Sequence, residues 1–88
     1  MTVPDTLPAT KPTIRVLIVD DDAVDRMACR RALAHNPDCE FVLSEAETGA
    51  EGLRLVRAEP PDCILLDIQL PDMNGLEFLG ALADKNGE

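Results

Sequence analysis

Two short apolar runs, each ending at aspartate, most constrain what this chain can fold into. The first covers residues 14–19 and stops at three consecutive aspartates, residues 20–22. The second covers residues 62–66 and stops at Asp67. Runs rich in β-branched and aliphatic side chains are typical of strands that are buried on both faces, as in a parallel sheet.

The pattern between and after these runs alternates in the same way. It predicts one further strand and three helices: a strand over residues 40–45, and helices over residues 23–35, 49–58 and 75–83. The added strand is less apolar than the first, which favours an edge position. Strands that alternate with helices imply a parallel sheet with right-handed crossovers. The predicted fold class is therefore α/β, in the order βαβαβα.

Local signals predict how the helices begin and which residues are buried. Asp22 and Thr48 are expected to cap the first and second helices. Gly52, inside the second helix, should cost roughly 1 kcal/mol relative to alanine. The expected inner stripe of the first helix is Val24, Ala28, Cys29, Ala32 and Leu33, with Arg26, Arg30 and Arg31 largely off it. The three cysteines, Cys29, Cys39 and Cys63, are each expected to be small buried hydrophobic residues.

Length and charge exclude several classes of function. The chain has 88 residues, enough for one domain, and 17 acidic against 8 basic residues give it a formal charge of -9. This balance argues against nucleic-acid binding and against a polybasic membrane anchor. Neither a signal peptide nor an apolar run long enough to span a bilayer is apparent, so we expect a cytoplasmic location. Three prolines in residues 1–13 predict a flexible N-terminal arm.

The acidic residues at the strand ends indicate a cation site. In an open parallel sheet, functional groups gather at the carboxyl ends of the strands. If the first and third strands are neighbours, Asp20, Asp21 and Asp67 converge, which is unfavourable unless a cation or protonation offsets their repulsion. Oxygen ligands with space for water suit Mg²⁺. Each aspartate taken singly can also be a helix cap or a turn residue, so the combination carries the hypothesis.

The two motifs match a known family. The sequence VLIVDDD at residues 16–22, followed by ILLDIQLPDMNGLE at residues 64–77, resembles the receiver domain of two-component response regulators. The helix, strand and helix that separate the motifs also fit. The resemblance covers about residues 14–84 and implies a flavodoxin-like, doubly wound parallel sheet with strand order 2-1-3.

The resemblance implies a role for four residues. Asp67 matches the phospho-acceptor, which takes a phosphoryl group from a phosphohistidine on a sensor histidine kinase or a histidine phosphotransfer protein. Asp20 and Asp21 match the acidic pair that holds Mg²⁺, Asp21 more directly. Gln69 falls where the family offers a backbone carbonyl to the metal. Such a domain is not a conventional enzyme, although receivers catalyse their own phosphorylation and dephosphorylation.

The resemblance also predicts an incomplete domain. The family has five strand–helix repeats in sheet order 2-1-3-4-5, of which residues 14–88 supply three. The family's hydroxyl residue after strand four and its lysine after strand five have no counterpart, and Lys85 cannot be assigned to the lysine position. We therefore expect residues 14–88 to be a partial receiver domain with impaired phosphotransfer, lacking strands four and five and their helices. Its third strand becomes an apolar edge, which predicts self-association or poor folding.

Two other functions remain open from the residues alone. The first is a receiver-like protein interaction or dimerisation module that is not phosphorylated. The second, which the sequence favours less, is a metal-dependent phosphohydrolase with an aspartate nucleophile. Such sites typically have a second acid two residues after the nucleophile, where this chain has Gln69.

Overall fold

Three parallel strands and three helices make up the computed structural model, which describes residues 11–84. In chain order the elements are β1 (Thr13–Val19), α1 (Ala23–Ala34), β2 (Glu40–Ala46), α2 (Gly49–Ala58), β3 (Cys63–Leu66) and α3 (Gly75–Ala83). The predicted βαβαβα order is confirmed. Most of the predicted N-terminal arm, residues 1–10, lies outside the described residues, as do residues 85–88.

The element boundaries differ from the sequence prediction by one residue at four ends. β1 begins at Thr13, which pairs with Glu40, so the last residue of the predicted arm already belongs to the sheet. β2 extends to Ala46, which pairs with Val19. α1 ends one residue earlier than predicted, and β3 begins at residue 63 rather than 62. The backbone N–H of Asp62 donates to the carbonyl oxygen of Arg15 at 2.8 Å, so the chain joins β1 just before β3 begins.

The sheet has the order β2-β1-β3, with β1 in the centre. Both pairings are parallel. β1 pairs with β2 along its whole length, whereas only its last four residues, Val16–Val19, pair with β3. The predicted edge position of β2 is therefore confirmed, and the carboxyl ends of all three strands lie at one end of the sheet.

One face of the sheet carries the main apolar core, under α2 and α3. Its buried members are Leu17, Val19, Ala46, Leu53, Leu70 and Phe78. A Cβ added at Gly52 would lie 3.0 Å from side-chain atoms of both Phe78 and Val19, which are fully buried. The absence of a side chain at position 52 therefore allows α2 to approach the sheet closely, which offsets the low helix propensity of glycine.

The opposite face is covered by α1, and there the predicted inner stripe is wrong for most of its members. Cys29 and Leu33 are half-buried, but Ala28 and Ala32 are exposed and Val24 is 69% exposed. The side chain of Arg26, which was expected off the stripe, is only 12% exposed. The apolar spacing of α1 predicts the wrong face because Arg26, held by Glu45 of β2 and by the backbone carbonyl of Asp20, occupies the inner position.

The prediction that all three cysteines are buried is also wrong. Cys63 is exposed and the other two are half-buried. Cys63 begins β3, the strand whose outer edge has no strand partner within residues 11–84, so its surroundings are less enclosed than its apolar sequence context indicates. Among the described residues, no helix combines the length and apolar character needed to cross a membrane.

Replacing Phe78 with alanine should strongly destabilise the fold. The side chain is fully buried between the helices and the sheet, so Phe78→Ala should lower the free energy of unfolding by roughly 3–5 kcal/mol, measured by urea denaturation. The matched control is Leu76→Ala on the same helix, since Leu76 is 80% exposed and should change stability by less than about 0.5 kcal/mol. Equal losses in the two variants would contradict this core assignment.

Candidate functional site

The two strands that end at aspartates, β1 and β3, are direct neighbours in the sheet. A shared site for these aspartates depends on this arrangement. Val19, the last residue of β1, pairs with Leu66, the last residue of β3. The backbone N–H of Asp67 donates to the carbonyl oxygen of Val19 at 2.9 Å. On the other side of β1, the N–H of Asp20 donates to the carbonyl oxygen of Ala46 at 3.0 Å. The residues after β1 and β3 therefore start from fixed positions on the sheet.

Three carboxylates meet at this end of the sheet. Asp20, Asp21 and Asp67 each offer one oxygen, and these oxygens all lie within 4.8 Å of one another. Asp20 and Asp67 are half-buried, whereas Asp21 is exposed. Oxygen ligands at such mutual distances are typical of a hard divalent cation, whose charge would also offset their repulsion.

Asp22 does not join this cluster, because it caps α1. Its carboxylate accepts a hydrogen bond from the N–H of Val24 at 2.8 Å, which confirms the predicted cap. The N–H of Asp22 itself donates to the carboxylate of Asp20 at 2.9 Å. The start of α1 therefore helps to orient the side chain of Asp20.

Repulsion among these acids reaches the first turn of α1. Asp22 and Asp20 raise the pKa of Asp25, with smaller contributions from burial and from Asp67 and Asp21. A carboxyl group is harder to ionise where other negative charges lie near it. The raised pKa of Asp25 thus reports a negative potential that extends beyond the three clustered carboxylates.

Two arginines on α1 support the cluster of Asp20, Asp21 and Asp67 through contacts with Glu45 and with the backbone of Asp20. Arg26 donates to the carboxylate of Glu45 at 2.9 Å and to the backbone carbonyl of Asp20 at 2.7 Å. Arg30 donates to the other oxygen of Glu45 at 2.6 Å. Burial raises the pKa of Glu45, but the hydrogen bonds from Arg30 and Arg26 outweigh it and leave this pKa lowered. The arginines thereby connect α1, β2 and the residue that begins the acidic cluster.

The loop between β3 and α3 folds back on itself beside Asp67. The N–H of Gly75 donates to the carbonyl of Ile68 at 2.7 Å, and the N–H of Leu70 donates to the carbonyl of Met73 at 2.9 Å. Between these bonds Gln69 lies opposite Asn74 in an isolated bridge. These bonds fix the backbone of Gln69 near Asp67. The N–H of Gln69 lies 3.4 Å from the carboxylate of Asp67.

A helix cap fixes the end of this loop that leads into α3. The side chain of Asn74 accepts from the N–H of Glu77 at 2.8 Å, and the carboxylate of Glu77 accepts from the N–H of Asn74 at 2.9 Å. This reciprocal capping box starts α3. The Asn-x-x-Glu spacing before the apolar residues of α3 is a signal that could have identified it from the sequence.

Two supporting groups were missed by the sequence analysis. One is the pair of Arg26 and Glu45, which lie 19 residues apart and carry no local signal of pairing. The other is Asp72, whose carboxylate accepts hydrogen bonds from the N–H groups of Gly49 and Ala50 at 2.8 and 2.9 Å. The sequence predicts only Thr48 as the cap of α2, and Thr48 does accept from the N–H of Glu51 at 3.1 Å.

Comparison with known proteins identifies the same motifs. The sequence model of the response regulator receiver domain matches residues 16–88. The chain is 38% identical over 79 residues to a protein-glutamate methylesterase/protein-glutamine glutaminase of Pyrococcus abyssi, covering 90% of this chain and 21% of that protein. It is also 38% identical over 71 residues to the nitrate/nitrite response regulator protein NarL of Escherichia coli, covering 81% of this chain and 32% of NarL.

Solved structures agree with the observed topology. The response regulator domain of CheB from Thermotoga maritima is 38% identical and superposes with a TM-score of 0.70, covering 83% of this chain and 53% of that one. The chain thus spans about half of this solved domain and between 21% and 32% of the two curated relatives. With the flavodoxin-like sheet order and the family match over most of its length, the chain belongs to the response regulator receiver domain family.

Proposed function

We propose that this chain is a phospho-accepting receiver in which Asp67 takes a phosphoryl group from a phosphohistidine on a partner protein. The observation that carries the proposal is the convergence of Asp67 with Asp20 and Asp21, whose oxygens lie within 4.8 Å of one another. The partner we propose is a sensor histidine kinase or a histidine phosphotransfer protein, met in the cytoplasm. We propose the same phospho-accepting role for this chain within any larger protein that carries it.

The proposed chemistry needs one nucleophile. A carboxylate oxygen of Asp67 attacks phosphorus and forms an O–P bond, while the N–P bond of the phosphohistidine breaks. The imidazole nitrogen leaves with the bonding electron pair and takes up a proton. Water later attacks phosphorus, which restores the Asp67 carboxylate and releases inorganic phosphate. Because Asp67 follows β3 directly and donates its N–H to Val19, its side chain starts from a rigid position.

The donor set fits Mg²⁺. The ligands would be the carboxylates of Asp20, Asp21 and Asp67, together with the backbone carbonyl of Gln69. A bound Mg²⁺ supplies neutralisation of the negative charge that the carboxylates and the transferring phosphoryl group bring together. Three hydrogen bonds hold Asp20 in place for this role. Its carboxylate accepts from the N–H of Asp22, its carbonyl accepts from Arg26, and its own N–H donates to the carbonyl of Ala46.

The two alternatives from the sequence are less well supported. The relatives are response regulators, which does not favour a non-phosphorylated interaction module. A metal-dependent phosphohydrolase would need a second acid near the nucleophile. Two residues after Asp67 lies Gln69, whose amide cannot act as a general acid or base in that role.

Replacing Asp67 with asparagine should abolish phosphate incorporation. The neutral amide lacks the anionic nucleophile, so labelled phosphate from a small-molecule acyl phosphate with Mg²⁺ should fall to background in Asp67→Asn. The measurement is hydroxylamine-sensitive label on the 88-residue chain. The control Asp38→Asn removes the same charge from an exposed turn and should keep the label of the parent. Even impaired incorporation into the parent should exceed that into Asp67→Asn, so a labelled Asp67→Asn variant, or a parent with no label above that variant, would contradict the proposal.

Mg²⁺ should lower the pKa of Asp25 towards its ordinary value. A cation held by Asp20, Asp21 and Asp67 cancels part of the repulsion that raises this pKa, although the contribution of Asp22 remains. The binding of Mg²⁺ should therefore release protons and strengthen as the pH rises through the pKa of Asp25. Carboxyl carbon shifts, titrated with and without Mg²⁺, measure this change.

The control for that titration is NaCl at the ionic strength of the Mg²⁺ sample. An equal fall of the Asp25 pKa in NaCl and in Mg²⁺ would indicate general ionic screening rather than a bound cation.

We also propose that the 88-residue chain associates with a second copy of itself through β3. Within residues 11–84 β3 pairs only with β1, so its other edge offers free N–H and C=O groups. Leu65 in the middle of β3 is 36% exposed, and the edge carries no lysine or proline that would protect it. Such an edge is a template for strand pairing.

A lysine in β3 should weaken this association. Sedimentation velocity should show the parent chain shifting to larger species with concentration, and Leu65→Lys should shift it back towards monomer. The control Val42→Lys places the same charge on the opposite edge strand, at a residue of similar exposure, 42%. A parent chain that stays monomeric at high concentration would contradict the proposal.

A further inference from the structure

We propose that Asp72 is a positioning residue for the acidic site: by binding the amino end of α2 it holds the β3–α3 loop, and with it the backbone of Gln69, beside Asp67. This inference rests on the proposed function, because it assigns a purpose to the orientation of Gln69. Asp72 neither lines the carboxylate cluster nor belongs to α2.

Asp72 binds α2 through two hydrogen bonds, one from each of two backbone N–H groups to its carboxylate. Its two carboxylate oxygens accept from the N–H groups of Gly49 at 2.8 Å and Ala50 at 2.9 Å. The first N–H groups of a helix have no partner within the helix, and the amino end carries a partial positive charge. These hydrogen bonds lower the pKa of Asp72, so its carboxylate stays ionised to a lower pH than usual.

Side-chain packing next to these hydrogen bonds shows that the β3–α3 loop contacts α2 through more than one residue. A Cβ built on Gly49 would lie 2.5 Å from the Cγ and Sδ atoms of Met73. The side chain of Met73 therefore occupies the space that glycine leaves open at the start of α2. Leu70, on the other side of the turn, is buried in the main core. Asp72 thus lies between two anchored apolar side chains.

The loop is short and cross-bonded, so the position of Asp72 affects Gln69. The N–H of Leu70 donates to the carbonyl of Met73, and Gln69 itself lies opposite Asn74. The bond from Gly75 to the carbonyl of Ile68 closes the base of the turn at 2.7 Å. If the part of the loop that holds Asp72 moved away from α2, the backbone of Gln69 would lose the support that orients it beside Asp67.

The chain offers a matched control for a merely structural role. Thr48 caps the same helix, and its side chain accepts from the N–H of Glu51, three residues later. Thr48→Ala removes a cap of α2 within its own helix, whereas Asp72→Ala removes a cap that comes from 23 residues away. If Asp72 served only to stabilise α2, the two variants would behave alike.

The experiment measures Mg²⁺ binding and amide exchange in the two variants and the parent chain. Following the amide shifts of Asp21 and Asp67, Asp72→Ala should raise the Kd for Mg²⁺ by about tenfold, as expected for groups that orient a ligand. Thr48→Ala should change it by less than about twofold, since it shares no bond with the loop. The N–H groups of Leu70 and Gly75 should exchange faster than in the parent only in Asp72→Ala.

The outcomes separate this inference from the proposed function. Equal effects of the two variants on Kd and exchange, or an unchanged Kd in Asp72→Ala, would overturn the positioning role while leaving the Mg²⁺ site intact. A parent chain that binds no Mg²⁺ would overturn the proposed function and, with it, the purpose assigned to Asp72. In that case faster exchange of Leu70 and Gly75 would still show that Asp72 holds the loop.

Discussion

The parallel pairing of β1 with both of its neighbours is the interaction on which the rest of this structure depends. Its four buried residues, Val16–Val19, are hydrogen-bonded on both edges and covered on both faces. Because the strands run in the same direction, their carboxyl ends share one end of the sheet. Asp20 and Asp67 leave that end from adjacent strands, so the acidic cluster follows from strand direction rather than from any contact between the aspartates.

Holding those acids together requires opposing interactions elsewhere. The negative potential raises the pKa of Asp25, while backbone N–H groups and the side chain of Arg26 hold Asp20 from several sides. Arg26 and Arg30 also share the carboxylate of Glu45, which connects α1 to β2. Within residues 11–84 the charges are thus unevenly matched, because ion pairs lie beside the cluster while its three carboxylates have no ion-pair partner there. These ion pairs help to explain how three carboxylates can lie close together in a folded chain.

Much of the fold and the candidate site could be predicted from the sequence because their signals are local. The apolar runs, the caps at Asp22 and Thr48 and the alternation of strands with helices each depend on neighbouring residues. The inner face of α1 could not be predicted in the same way. Apolar spacing placed Val24 inside, whereas the structure buries Arg26, because the energy of that position depends on Glu45 from another strand.

The sequence by itself therefore determined the order of the elements, the strand-end positions of the acids and the family to which the chain belongs. Only the tertiary structure decided which groups support the acids: Arg26 beneath Asp20, and Asp72 at the start of α2. The physical reason is that capping and strand formation are decided within a few residues, while an ion pair or a distant cap requires the backbone to bring separate segments within hydrogen-bonding distance.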